Sequence, residues 1–202
     1  NTVIDFIRYK AENEALNLAG LSEEEDLFAP VLKSVKNRWV WLAVNLVTAF
    51  IASRVIGLFE DSIEKLVALA ALMPIIAGIG GNSGNQTITM IVRALALDQI
   101  NTSSAWKLIT KEVGVSIVNG LLWGTIVGLF TFAIYQNAEL GLVMTLALVL
   151  NLLLAALLGV LIPLTLRKFG RDPAIGSSVM ITAVTDSGGF FIFLGLATIF
   201  LL

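Results

Sequence analysis

The chain contains no cysteine and no histidine. The first absence excludes disulfides and thiolate metal sites. The second removes the usual zinc and haem ligand and the side chain that titrates near neutrality. Any metal bound here must be held by oxygen, which points to hard cations such as Mg²⁺, Ca²⁺ or Mn²⁺. Charge is also scarce. Asp, Glu, Lys and Arg make up 14% of the 202 residues, where a soluble domain carries about 25%. With 57% hydrophobic residues and a mean hydropathy of +0.89, the composition is that of an integral membrane protein. A net charge of −2 says little, because the charges are partitioned along the chain. The opening residues Asn1-Thr2-Val3-Ile4-Asp5 have neither an initiator Met nor the pattern of a signal peptide, so a fragment of a longer chain is one expectation.

Residues 1–38 are polar and mostly acidic. Val3, Ile4, Ile7, Leu16 and Leu18 predict a short amphipathic helix, followed by a solvated run Glu23-Glu24-Glu25-Asp26. This region is read as a cytosolic lead-in, although the acidic run also suits a cation. Residues 39–202 hold five apolar segments: Trp39–Phe59, Leu66–Leu97, and stretches near Val113–Tyr135, Leu140–Leu166 and Ala174–Leu202. The first spans about 31 Å as a helix, enough for a bilayer core. The second is too long for one straight crossing and is expected to tilt, kink or protrude. Lipid offers no partner to backbone N–H and C=O groups, so all five are predicted to be helices.

Basic residues set an orientation. Lys33, Lys36 and Arg38 precede the first segment, and Arg93, Lys107 and Lys111 lie at or between the second and third. Arg167, Lys168 and Arg171 lie between the fourth and fifth, while the opposite side has only Arg54 and Lys65 beside Glu60, Asp61, Glu64 and Glu139. Cytoplasmic loops are enriched in Lys and Arg, which puts the N-terminus in the cytosol and the C-terminus outside a plasma (inner) membrane. Membrane lipid is the expected surrounding and no nucleic-acid partner is expected. No internal repeat is visible, and an odd number of spans argues against a pair of inverted repeats in one chain. A symmetric pathway then needs two chains.

Two features carry chemistry. Asp186 sits near the middle of the last apolar segment, with no Lys, Arg or His in that segment to neutralise it. A carboxylate at membrane depth costs several kcal/mol or more, and such residues usually face a water-filled path. The alternative is a structural acid paired with another helix or held protonated. The second feature is Gly78-Ile79-Gly80-Gly81-Asn82-Ser83-Gly84-Asn85-Gln86. Its small residues permit close backbone approach, and Asn82, Asn85 and Gln86 fall on one side of a helix. Amide oxygens hold water or a hard cation, and they also serve as interhelical glue. The Gly78-x-Gly80 string lacks the strand-turn-helix setting of a dinucleotide site.

Gly80-Gly81-Asn82-Ser83-Gly84-Asn85-Gln86 followed by Arg93-Ala94-Leu95-Ala96 resembles the second transmembrane helix of MgtE-type magnesium channels. Phe59-Glu60, Asp172-Pro173-Ala174 and Thr185-Asp186-Ser187-Gly188-Gly189 fit the same family, in order and over nearly the whole chain. The resemblance implies an all-α polytopic membrane protein. It implies a homodimer of five transmembrane helices per subunit, with a pore at the subunit interface lined chiefly by the second and fifth. It also implies a cytosolic regulatory part, which would lie outside these residues. The family's central pore aspartate carries over to Asp186. The chain departs from the family where Ser178-Val179 replaces an Asn-Pro pair and where Thr182 takes the place of a small residue, so ion preference is open.

The expected function is therefore passage of a divalent cation, Mg²⁺ first and Mn²⁺, Ca²⁺ or Co²⁺ as alternatives. The ion would pass oxygens of Asp186, Thr182, Ser178, Asn82 and Asn85. An exchanger coupling the divalent ion to Na⁺ or H⁺ is the alternative. No enzymatic activity is expected, since nothing resembles an ATP site and no second catalytic group accompanies Asp186 in its segment.

Overall fold

The computed structural model describes residues 2–18, 28–100 and 104–202; the acidic run Glu23–Asp26 lies outside them. The described residues form helices and no strands: α1 Thr2–Leu18, α2 Val31–Gly57, α3 Glu60–Lys65, α4 Ala68–Ala96, α5 Ala105–Tyr135, α6 Ala138–Lys168 and α7 Ser177–Leu201. Among the described residues, α2, α5, α6 and α7 are long and apolar enough to cross a membrane. At 29 residues α4 is equally long, about 43 Å at helical rise. Its amides and glycines keep it out of that set by composition. It runs as a continuous helix through Pro74.

Local chemistry sets the ends. Pro30 precedes α2, and its carbonyl accepts from Lys33 N–H at 2.9 Å. This starts the first long helix eight residues before the expected Trp39. The third begins at Ala105 rather than near Val113, because Trp106 and Lys107 continue the helix into polar sequence. The fifth begins at Ser177 rather than Ala174. Gly176 takes a left-handed φ of 78° just before it, a conformation that favours glycine. Between α5 and α6 the turn is short. Gln136 adopts φ 52° and Asn137 caps α6 by accepting from Leu140 N–H at 3.0 Å.

Helix α6 is the centre of the bundle, packing against α5, α4 and α7, while α2 packs on α7. Small residues draw α5 onto α6. A Cβ on Gly128 would lie 2.6 Å from the Gly141 carbonyl oxygen, and one on Gly124 would lie 3.0 Å from that of Thr145. Thr145 Oγ1 donates to the Gly124 carbonyl at 3.0 Å. Close backbone approach through small residues is the usual device where lipid removes the hydrophobic drive between helices. Leu69, Leu72 and Ile76 of α4, Met144 and Leu148 of α6 and Phe193 of α7 fill the core at one end. The same end is closed by the Ser62–Thr198 hydroxyl contact at 2.7 Å and an edge-on pair of Phe59 and Phe191 rings 5.8 Å apart. At the other end Arg167 donates to the Leu95 carbonyl at 3.3 Å and to Asp98 Oδ1 at 2.8 Å, tying α6 to the end of α4.

Candidate functional site

The seam between α4 and α7 is built by glycine. Gly84 faces Ile181 so closely that a Cβ would lie 2.5 Å from its Cγ1, and Gly81 faces the Thr185 hydroxyl. That closeness lets side chains on the two helices bond. Ser178 Oγ donates to Asn85 Oδ1 at 2.6 Å, and Asn85 Nδ2 donates back to its own helix at the Gly81 carbonyl, 3.0 Å. Thr182 Oγ1 donates to the Ser178 carbonyl at 2.9 Å, which leaves its lone pairs free to accept. Ser178, Thr182 and Asp186 follow one another at i, i+4 and i+8, one stripe about 12 Å long. All three are half-buried.

Asp186 forms no hydrogen bond or ion pair with any described residue, unlike the buried Thr185 beside it, whose hydroxyl donates to the Ile181 carbonyl at 2.8 Å. Of the five residues expected in the site, Asn85 and Ser178 are brought into contact, and Thr182 and Asp186 extend their stripe. Asn82 does not join α7. It is exposed, and with Asn85, Gln86 and Thr89 it lines an open hollow of about 710 Å³ on α4. Among the described residues no three acidic side chains gather as a metal cluster. Each chain thus offers one carboxylate with hydroxyl and amide oxygens beside it. That set suits a cation keeping part of its water better than a stripped one.

Two polar residues inside the bundle were missed by sequence reasoning. Glu112 was placed just before the third apolar segment, but α5 starts earlier and buries it. Its side chain is 5% exposed, accepting from Thr87 Oγ1 at 3.1 Å and lying 3.6 Å from Lys111 Nζ. Among the described residues, the long apolar helices thus hold two acids that are not exposed, Glu112 and Asp186. Asn151 is fully buried in α6, between Gly80 of α4 and Gly189 of α7. Its Nδ2 donates to the Ile76 carbonyl at 2.9 Å, and its Oδ1 has no hydrogen-bond partner. The available signal was a lone amide inside the leucine run Leu150-Asn151-Leu152-Leu153-Leu154.

A family profile described as MgtE, divalent cation transporter, matches residues 73–196, which include the three α4 amides Asn82, Asn85 and Gln86 and Asp186. A protein of Bacillus subtilis (strain 168) named magnesium transporter MgtE is 30% identical over 199 residues, covering 98% of this chain and 44% of the relative. A protein of the same name from Thermus thermophilus is 34% identical over 163 residues, covering 80% of this chain and 36% of its own length. A third, from Enterococcus faecalis, is 31% identical over 199 residues, with 98% and 44% covered. The chain spans less than half the length of these relatives. It belongs to the MgtE family of divalent cation transporters.

Proposed function

We propose that this chain forms the ion-conducting membrane part of a Mg²⁺ transporter. Two copies associate so that their α4 and α7 faces enclose one path, with an Asp186 from each beside it. Helix α4 is the fifth crossing, its amide face turned to that path rather than to lipid. The N-terminus is cytosolic and the C-terminus lies outside.

The observation that carries this reading is the unpaired, half-buried Asp186 on one stripe with Thr182 and Ser178, joined to Asn85 across the helix seam. A lone carboxylate at that depth is stabilised by water and a compensating cation. Mg²⁺ surrenders water reluctantly, so two carboxylates at the centre with hydroxyl and amide oxygens around them hold the ion through retained waters. Membrane potential drives entry, at about 2.3 kcal/mol per elementary charge per 100 mV.

The test is flux of Mg²⁺ into proteoliposomes containing this chain. Asp186→Asn keeps the size and removes the charge. A unit-charge pair at about 4 Å is worth about 1 kcal/mol in water and about 4 kcal/mol near a protein surface, and a divalent ion doubles both. Flux and divalent binding are expected to fall by more than about tenfold while the protein stays folded. Undiminished flux in folded Asp186→Asn would refute the reading. Flux that requires a second ion gradient would replace the channel by an exchanger.

A further inference from the structure

A second polar cavity adjoins this amide face of α4, against a helix outside the proposed path. Helices α4 and α5 both pack on α6, and between them is a cleft of about 300 Å³. Asn82, Ser83 and Gln86 of α4 and Asn119 of α5 line it, with Leu152 of α6 and the indole of Trp123. These positions are near the middle of α4 and α5. None of the four polar side chains is hydrogen-bonded to any described residue, although Asn85 and Thr87 on the same helix both are. Free amides at that depth need water, an ion or another chain as partner, since hydrocarbon supplies none.

Two further observations select the occupant. Asn82 and Gln86 line this cleft and also the open hollow that contains Asn85, so the cleft is continuous with the amide face of the proposed path. The buried Glu112 carboxylate lies on the Asn119 face of α5 two helical turns away, about 10 Å by helical rise. It does not line the cleft; its charge, partly balanced by Lys111 at 3.6 Å, reaches the cleft only through space. Mg²⁺ with six waters needs about 180 Å³ at about 30 Å³ per water, so the cavity holds the ion with its inner water.

We propose that the α4–α5 cleft is a binding site for a hydrated divalent cation within each subunit. It fills from the path past Asn82 and Gln86, with Asn119 on α5 hydrogen-bonding to its waters. The inference rests on the proposed transport function but places the ion away from Asp186.

Trp123 supplies the readout. In this 202-residue chain with Trp39, Trp41 and Trp106 replaced by Phe, Trp123 is the sole tryptophan. Co²⁺, a quenching divalent ion, is titrated against its emission. Saturable quenching is expected. It persists in Asp186→Asn, weakens by about tenfold or more in Asn119→Leu and Asn119→Ala, and returns in Asn119→Gln. Circular dichroism confirms that each variant is folded; Asn119 is exposed on the cleft, so neither substitution disturbs the core. Three results would overturn the site: quenching that never saturates, quenching indifferent to Asn119, or quenching abolished by Asp186→Asn. Spontaneous cross-linking of two copies through Asn119→Cys would also overturn it, because a second chain would then fill the cleft. Loss of the transport reading is seen separately, as normal flux in Asp186→Asn.

Discussion

Replacing Gly84 by alanine tests whether the α4–α7 seam holds the candidate site together. The added Cβ falls 2.5 Å from Ile181 Cγ1 and 3.2 Å from its Cδ1, where ordinary contact begins near 3.4 Å. Ile181 is fully buried, and its β-branched side chain is confined to one main rotamer in a helix. The clash is relieved by about 0.9 Å of separation between the helices. Carried along the seam, that shift stretches the 2.6 Å Ser178–Asn85 bond towards 3.5 Å, beyond useful length. The control is Gly78→Ala on the same helix, where an added Cβ meets nothing within 4 Å. Both changes share the helix-propensity gain of about 1 kcal/mol. Their difference isolates overpacking, about 1–3 kcal/mol. At roughly 2–4 °C per kcal/mol for a chain of this size, thermal unfolding in detergent should separate the two midpoints by about 2–12 °C, with Gly84→Ala lower. In flux assays Gly84→Ala should raise the half-saturating Mg²⁺ concentration and Gly78→Ala should not. Equal midpoints for the two proteins would refute the described packing.

Other expectations are simpler. Ser178→Ala removes the hydroxyl that bonds Asn85 and is expected to change relative Mg²⁺ and Ca²⁺ flux while costing about 1 kcal/mol of stability; identical ion preference would count against Ser178 facing the ion. Arg167→Ala breaks an ion pair whose two side chains are 44% and 84% exposed, so unfolding should move by no more than about 1 kcal/mol, and a larger loss would mean the α4–α6 tie is a principal support. With N-terminus inside, a cysteine at Glu139 should react with an impermeant thiol reagent added outside and one at Lys168 should not; the reverse pattern would invert the orientation.

Much of the fold was legible because lipid leaves the backbone few choices. Long apolar runs have to be helices, and their centres fell where expected. Their ends did not, because ends depend on single residues such as Pro30 and Gly176 and on polar sequence that can continue a helix. The Ala105 start of α5 shows the consequence: a boundary drawn at Val113 left Glu112 among loop residues, although the structure buries it against Thr87. The site was legible in kind. Asp186 and Asn85 were singled out by type and depth, Ser178 and Thr182 through the family resemblance, and the stripe formed by the α7 trio emerged only with the helix itself. Pairing across helices was not legible. Asn82 and Asn85 share a side of α4 by spacing, yet one bonds to α7 and the other turns towards α5.

Asn151 connects these observations. It sits where α6 touches both helices of the candidate site, and glycine on each side makes the space it occupies. Its amide is hydrogen-bonded to α4 through the Ile76 carbonyl. Towards α7 it faces Gly189, and its Oδ1 has no hydrogen-bond partner. The α4–α6 join is therefore directional, while the α6–α7 join beside it relies on packing. Between α4 and α7 the directional tie is the Ser178–Asn85 bond, so the position of Asp186 relative to the α4 amides rests on that bond and on glycine packing at the seam.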